Sequence, residues 1–299
     1  MSYEKMMAVN RIFHIDCELE YQVTRQSVFV FNLAVSDSCG QRVLREAFNL
    51  HARGAVDEFR DAGGLNRYMR IDSCPGPLIV RYQASVAIEP PAIDECALEV
   101  PVALLPGDVF PYLRSSRYCE SDRIFSLACR EFERVPYGYR RVLAICQWIR
   151  KNIAYKIGSS SPATTACDTL TTRAGVCRDF AHLAISFCRA LNIPARFVTA
   201  YACYREPPPD FHALFEAYLG GRWYLFDPTE LARLDETVRI GTGLDASDVA
   251  FATYFGAAAL RRLSPLIEPQ PAVTALESRP RLVSLQTPDS GIRLVAQAS

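Results

Sequence analysis

The sequence predicts an α+β protein. A β-rich N-terminal domain (1–112) precedes a domain of helices packed on antiparallel sheet (113–263), and a Pro-rich extension (264–299) follows. Three observations carry this prediction. Apolar residues alternate with period two over about the first hundred positions, the helical period takes over near residue 120, and alternation returns between 196 and 226.

The N-terminal strands declare themselves first. Phe13, Ile15, Cys17, Leu19 and Tyr21 fall on one side of a strand, with His14, Asp16, Glu18 and Glu20 on the other. Leu78, Val80, Tyr82, Ala84, Val86 and Ile88 repeat the pattern against Arg81, Gln83 and Ser85. Turn-forming clusters at 36–40, 63–64 and 75–77 separate such runs. Antiparallel strands with one apolar face bury it most simply as a β-sandwich. No cluster of reactive residue types lies in this half: His14 belongs to a polar face, and His51 has no visible partner.

A proline-rich connection spans 90–111, and the pattern then becomes helical. Ser121 is placed to cap a helix holding Ile124, Phe125, Leu127, Ala128 and Phe132. A second helix from about Tyr139 carries Val142, Leu143, Ile145, Cys146, Ile149 and Ile153 on one face. The stretch IGSSSPATTACDTLTT reads as a Ser/Thr-rich loop leading to a third helix after Gly175. Strands follow at 196–204, 211–219 and 222–226, and the segment after about 263 is weakly patterned.

Composition narrows the partners. Lys plus Arg and Asp plus Glu both total 33 in 299 residues, so neither nucleic acid nor an acidic membrane surface is expected. No apolar run has the length of a signal peptide or a membrane-spanning helix. Eleven cysteines, an odd number without a CxxC pair, read neither as a disulfide framework nor as a zinc ribbon. Thiols in such number fit a reducing compartment, which makes the cytoplasm the expected location and most of these residues inert core hydrophobes.

One cysteine stands apart. In RAGVCRDFAH (173–182), Cys177 sits in the first turn of a helix, on the face that carries Phe180, Ala184, Phe187, Cys188 and Leu191. Unpaired N–H groups and the helix dipole at that position stabilise a thiolate and lower its pKa. The same donors suit an oxyanion, and Gly175 lets a substrate backbone approach closely. A core cysteine at a helix start is the plain alternative, and it suffices for Cys129, Cys146 and Cys188. Only a base can separate the two readings for Cys177.

His182 is not that base, because five positions along a helix rotate it about 140° away from Cys177. The stretch FHALFEAYLGGRWYLFDPT reads as a hairpin turning at Gly220 and Gly221. Pairing Leu219 with Arg222 and counting back sets Leu214 opposite Asp227, so Asp227 is the diagonal neighbour of His212 on one face. Diagonal Cβ separations of roughly 7 Å or less are within reach of a hydrogen bond between the two side chains. A nucleophile, a base and an orienting acid are thereby available in Cys177, His212 and Asp227. A zinc site built on Cys177 fails on spacing, since His182 faces away and no close ligand pair remains.

The order GVCRDFAHL, NIPARFVTAY, FHALFEAYLGGRWYLFDPT resembles the transglutaminase-like superfamily, in its bacterial cysteine-protease-like branch, over about residues 115–260. The β-rich first part is similar to the N-terminal domain that often precedes this core in bacteria. The resemblance implies a papain-like catalytic domain with Cys177 as nucleophile, His212 as base and Asp227 as orienting acid. Many members carry an aromatic residue two positions after the His, where this chain has Leu214, and that departure bears on the cleft's substrate preference. Trp148 and Tyr155 are the candidates for a second oxyanion donor. The implied reaction is acyl transfer from an amide of a peptide or protein substrate through an acyl-enzyme, resolved by water or by an amine. With no DxDxDG calcium loop and no cofactor motif, hydrolysis without a metal is the favoured expectation. The rival is a non-catalytic module that keeps the cleft to hold a peptide or partner protein.

Overall fold

Strand β1 (Arg11–Val23) buries Phe13, Ile15, Cys17, Leu19 and Tyr21 and leaves the residues between them half-exposed, as the period-two pattern requires. The computed structural model describes residues 11–38, 40–51, 54–91, 93–204, 210–270 and 292–296. The other strands of the N-terminal half are β2 (Ser27–Phe31), β3 (Gln41–His51), β4 (Gly54–Arg60), β5 (Arg67–Ser73) and β6 (Gly76–Ile88). The next half contains α1 (Phe125–Phe132), α2 (Tyr139–Asn152), β7 (Ala154–Tyr155), α3 (Ala166–Thr172), β8 (Ala174–Gly175) and α4 (Cys177–Ala190). It continues with β9 (Ala195–Ala202), β10 (His212–Leu219), β11 (Arg222–Phe226) and β12 (Thr237–Gly243). Three further strands, β13 (Ala252–Phe255), β14 (Ala258–Pro269) and β15 (Ile292–Ala296), close the fold.

Two antiparallel sheets make the predicted sandwich, one ordered β14-β1-β6-β3-β15 and the other β13-β2-β5-β4. Their apolar faces meet in one core that includes Phe13, Ile15, Leu19, Phe29, Phe31, Ile71, Val80 and Tyr82. Full burial of a side chain such as Phe13 contributes about 1.5–3 kcal/mol.

Three of the sandwich's four edge strands, β13, β14 and β15, come after β12 in the chain, which the predicted division does not foresee. β14 runs antiparallel to β1 from Pro269 at Phe13 to Ala258 at Val23, β13 pairs with β2, and β15 pairs with β3. The boundary at 263 therefore falls inside a strand. β14 is an edge strand with most of its residues exposed or half-exposed, so it lacks strict alternation and tolerates Pro265 and Pro269. The remainder of the predicted extension apart from β15, residues 271–291 and 297–299, lies outside the described residues.

In the half from α1 to β12, α4 is the central element, with every residue from Asp179 to Ala190 buried. α1, α2 and α3 pack around it, and the four-stranded sheet β11-β10-β9-β12 lies against it through Ala213, Phe215, Ala217 and Leu219. The Ser/Thr-rich stretch read as a loop contains α3, whose capping box pairs Thr165 and Asp168: each side chain accepts the other's backbone N–H, at 3.3 and 3.0 Å. Ser121 caps nothing. Ile124 occupies the N-cap of α1 without a side-chain bond.

The two halves share packing. Tyr201, Phe211, Val238 and Ile240 reach into the sandwich core, and the Tyr201 hydroxyl donates to the Leu33 carbonyl at 2.8 Å. Asn66 pairs with both backbone groups of Thr242 at 2.8 Å. Among the described residues no helix is long and apolar enough to cross a membrane.

Candidate active site

Cys177 is the first residue of α4, half-buried against the helical core. Asp179 shapes this helix start by accepting the Val176 N–H at 2.9 Å, while the Ser160 hydroxyl donates to its other oxygen at 2.9 Å. The N–H groups of Asp179 and Phe180 both return to the Val176 carbonyl, at 2.9 and 3.0 Å. Cys177 and Arg178 thus contribute the first helix amides that have no backbone acceptor among the described residues. Gly175 serves a different purpose from the one expected of it. A Cβ there would lie 2.8 Å from the Asp179 Cβ and 3.3 Å from Thr169 Cγ2, so its missing side chain makes room for the capping residue rather than for substrate.

His212 opens β10, and the hairpin has the predicted register. Leu219 faces Arg222, and pairing continues to Phe215 and Phe226. Gly220 and Gly221 turn with φ of 53° and 85°, the left-handed conformations that a tight two-residue turn demands. β11 ends one residue short of Asp227, whose carboxylate reaches back so that Oδ2 lies 2.9 Å from His212 Nε2. Thr229 N–H and Oγ1–H donate to Asp227 Oδ1 at 2.8 and 2.6 Å, and the Ala232 N–H donates to Oδ2 at 3.1 Å. That set of donors locks the carboxylate in place.

The electrostatics follow from this geometry. Burial works against ionisation of Asp227, yet the hydrogen bond from His212 and those from Thr229 and Ala232 hold it below the usual carboxylate range. Burial likewise disfavours the imidazolium of His212. The hydrogen bond to Asp227 and the contact with the Cys177 thiol outweigh burial and raise His212 to about 10. With Nε2 engaged by Asp227, Nδ1 is the ring nitrogen left to serve Cys177, and it has no hydrogen-bond partner among the described residues.

Two tyrosines flank the pair. The Tyr155 phenol is raised by burial and by the nearby Cys177 thiol, while the Cys177 N–H works in the opposite sense, so its hydroxyl lies close to both. Tyr204 sets its ring 5.3 Å from that of His212 and is pinned by its hydroxyl, which donates to the Asp210 carbonyl at 2.9 Å. Trp148, the other expected oxyanion candidate, donates instead to Glu131 at 3.0 Å and packs edge-on against Phe187. It belongs to the helix packing.

Cys177 and His212 line one cleft of about 500 Å³, shared with Arg178, Phe197, Asp210 and Phe251, a size usual for ligand sites. Leu214 does not line it, being buried with Val198, Ala200 and Leu225. Its departure from the family pattern therefore leaves the cleft wall untouched. His182 is fully buried, and its Nε2 accepts the Ala246 N–H at 3.1 Å. Sequence reasoning missed Tyr204, Asp210 and the segment 244–251 joining β12 to β13. Asp210 was within reach, standing two residues before His212 in an extended run, but the segment's role depends on where β13 pairs.

Both halves of the chain are similar to known proteins. A family model described as the transglutaminase-like superfamily matches residues 128–228, and one described as bacterial transglutaminase, N-terminal domain, matches residues 11–108. The crystal structure of a proposed cysteine protease from Cytophaga hutchinsonii superposes with a TM-score of 0.84 at 40% identity, covering 89% of this chain and 93% of that one. The uncharacterized protein ML0607 of Mycobacterium leprae is 33% identical over 122 residues, 37% of this chain and 42% of that protein. The uncharacterized protein Rv2569c of Mycobacterium tuberculosis is 31% identical over 116 residues, 34% of this chain and 37% of that protein. The match thus spans less than half the length of these two mycobacterial relatives.

Proposed function

The chain belongs to the transglutaminase-like superfamily, with a bacterial transglutaminase N-terminal domain ahead of the core, and from that premise we propose that it is a cysteine-dependent acyl-transfer enzyme acting on amide bonds of peptides or proteins. The observation that carries the reading is the convergence of Cys177 and the hydrogen-bonded His212–Asp227 pair on one cleft.

The chemistry follows from the roles these groups suit. The Cys177 thiolate attacks the amide carbonyl, and the helix-start N–H of Cys177 holds the oxyanion, with the Tyr155 hydroxyl as second donor. The tetrahedral intermediate collapses as His212 gives its proton to the leaving amine, forming a thioester. Water then attacks the thioester while His212 takes its proton, releasing a carboxylic acid and restoring the thiol. An amine in place of water would complete a transamidation. Hydrolysis is our reading, supported by the absence of a calcium-loop pattern from the sequence. The many free cysteines support a reducing location such as the cytoplasm.

A binding module that merely retains the cleft is the rival. A raised imidazole and a donor-locked Asp227 favour catalysis, because holding a peptide requires neither. Iodoacetamide labelling followed by peptide mapping tests the choice: selective modification of Cys177, abolished in His212→Ala, supports the enzyme. Labelling spread evenly over the exposed cysteines would overturn it.

A further inference from the structure

The cleft beside Cys177 has two unlike ends. Ser160, Ser161 and Arg178 make a polar one, while Phe197, Phe211, Val249 and Phe251 make an apolar one. Val249 and Phe251 come from segment 244–251, which leaves the catalytic sheet at β12 and enters the sandwich at β13.

That segment is anchored through its backbone to several other elements. The Val249 carbonyl accepts the Thr199 hydroxyl at 2.9 Å, and the Phe251 carbonyl accepts the Asn32 N–H at 3.0 Å. The Asp248 carbonyl accepts the Tyr68 hydroxyl at 2.9 Å, and the Ala246 N–H donates to His182 Nε2 at 3.1 Å. These bonds tie the segment to both halves of the molecule and hold its side chains as a wall of the cleft. The wall is also stiff: the Phe211 and Phe251 rings stack at 4.7 Å, and Phe211 rests 5.5 Å from Tyr201. Space beside these rings comes from Ala213 and Ala250. A cationic side chain would meet Arg178 in the same cleft, and the lining carboxyl, Asp210, is held toward its neutral form by burial; the Arg178 charge is already matched by Asp179 at 3.1 Å.

We propose that the apolar end is the specificity pocket for the acyl donor, taking an aromatic or long aliphatic side chain next to the carbonyl that Cys177 attacks. The β-sandwich holds the wall of this pocket in place, which makes it part of the specificity apparatus. The donor, rather than the acceptor, is the occupant because Val176 and Cys177 line the same cleft, where the helix-start amides would hold its carbonyl. This inference rests on the reading of Cys177 as the nucleophile.

The test uses the full chain and a set of short peptidyl acyloxymethyl ketones carrying Phe, Leu, Gly, Asp or Lys at each of the two residues nearest the electrophile. Rates of Cys177 labelling are compared with the iodoacetamide rate. Phe or Leu at one position should label about tenfold or more faster than Gly or Asp, the scale of one large apolar side chain leaving water. Ala250→Leu, a half-exposed position, should erase that preference; Ala246→Val, in the same wall, provides a second filling variant. Uniform rates, or the fastest labelling by Lys or Asp probes, with iodoacetamide still selecting Cys177, would overturn the pocket and spare the nucleophile. Loss of selective Cys177 labelling by every reagent would overturn both.

Discussion

His212 Nε2 lies 2.9 Å from Asp227 Oδ2, fifteen residues away along the chain and across a hairpin turned by two left-handed glycines. An ionised Asp227 accepts the Nε2 proton of the ring, so Nδ1 is the nitrogen available to the proposed nucleophile, Cys177. Asp227→Asn keeps the shape and loses that control. In the serine protease triad the corresponding change costs about 10⁴ in turnover. A cysteine is intrinsically more ionised than a serine, so roughly 10- to 10³-fold is expected here. His212→Ala should cost more, because it removes the proton donor to the leaving amine as well as the base. Turnover per folded molecule, with melting temperature as control, decides the matter; an Asn variant at wild-type turnover would remove Asp227 from the mechanism.

The raised imidazole makes a prediction about alkaline pH. His212 stands at about 10 when folded, against an ordinary value of 6.5. Its folded pKa is raised, so its contribution to stability is complete below the ordinary value and is lost as pH rises through about 10. Loss of the His212 proton should remove the acid for the leaving amine over the same range, placing the alkaline limb of the activity profile near pH 10. Asp227→Asn should move that limb to lower pH, since the bond to Asp227 is the largest influence raising the imidazole. An unmoved limb would mean that another group titrates.

The other thiols should behave in the opposite way to Cys177. Burial raises the thiols of Cys146 and Cys188, which keeps both protonated and unreactive. Cys188→Ala and Cys146→Ala should each lower stability by about 1 kcal/mol through lost packing, with turnover per folded molecule unchanged. Cys177→Ala should abolish turnover and leave the melting temperature nearly where it was, because its side chain is half-buried at a helix edge. Chemical denaturation paired with an activity assay on each variant checks both halves of this expectation.

Local pattern made much of this legible. Alternation exposes β1 and β6, and the glycine pair pins the hairpin register that brings Asp227 to His212. What sequence reasoning missed depends on distant pairing. β14 is an edge strand, so its residues need not alternate, and its partner β1 lies more than two hundred residues earlier. The wall built by Val249 and Phe251 exists only because β13 joins β2 in the sandwich. Gly175 looked like a gap for substrate because nothing local reveals that Asp179 folds back against it. The hairpin is the counterexample: its pairing is local, and a simple count sufficed.

His182 offers a last test, separating the structural histidine from the proposed catalytic one. Its ring stacks on Tyr118 at 5.0 Å, lies 4.9 Å from Phe197, and accepts the Ala246 N–H. Burial, opposed by Asp245, lowers it to about 3, so it is neutral in the folded protein. A histidine lowered on folding contributes stability that is present above the ordinary value of 6.5 and is lost as pH falls toward about 3. The native protein should therefore lose melting temperature through this acid window. His182→Gln retains an acceptor for Ala246 but cannot charge, so its melting temperature should fall less steeply there. His182→Ala should cost about 3 kcal/mol or more, having lost a buried ring and left the Ala246 N–H unpaired. Neither variant should slow iodoacetamide labelling of Cys177 at neutral pH. If labelling collapsed in His182→Gln while persisting in His212→Ala, His182 would be the partner of Cys177, and the base would have to be reassigned.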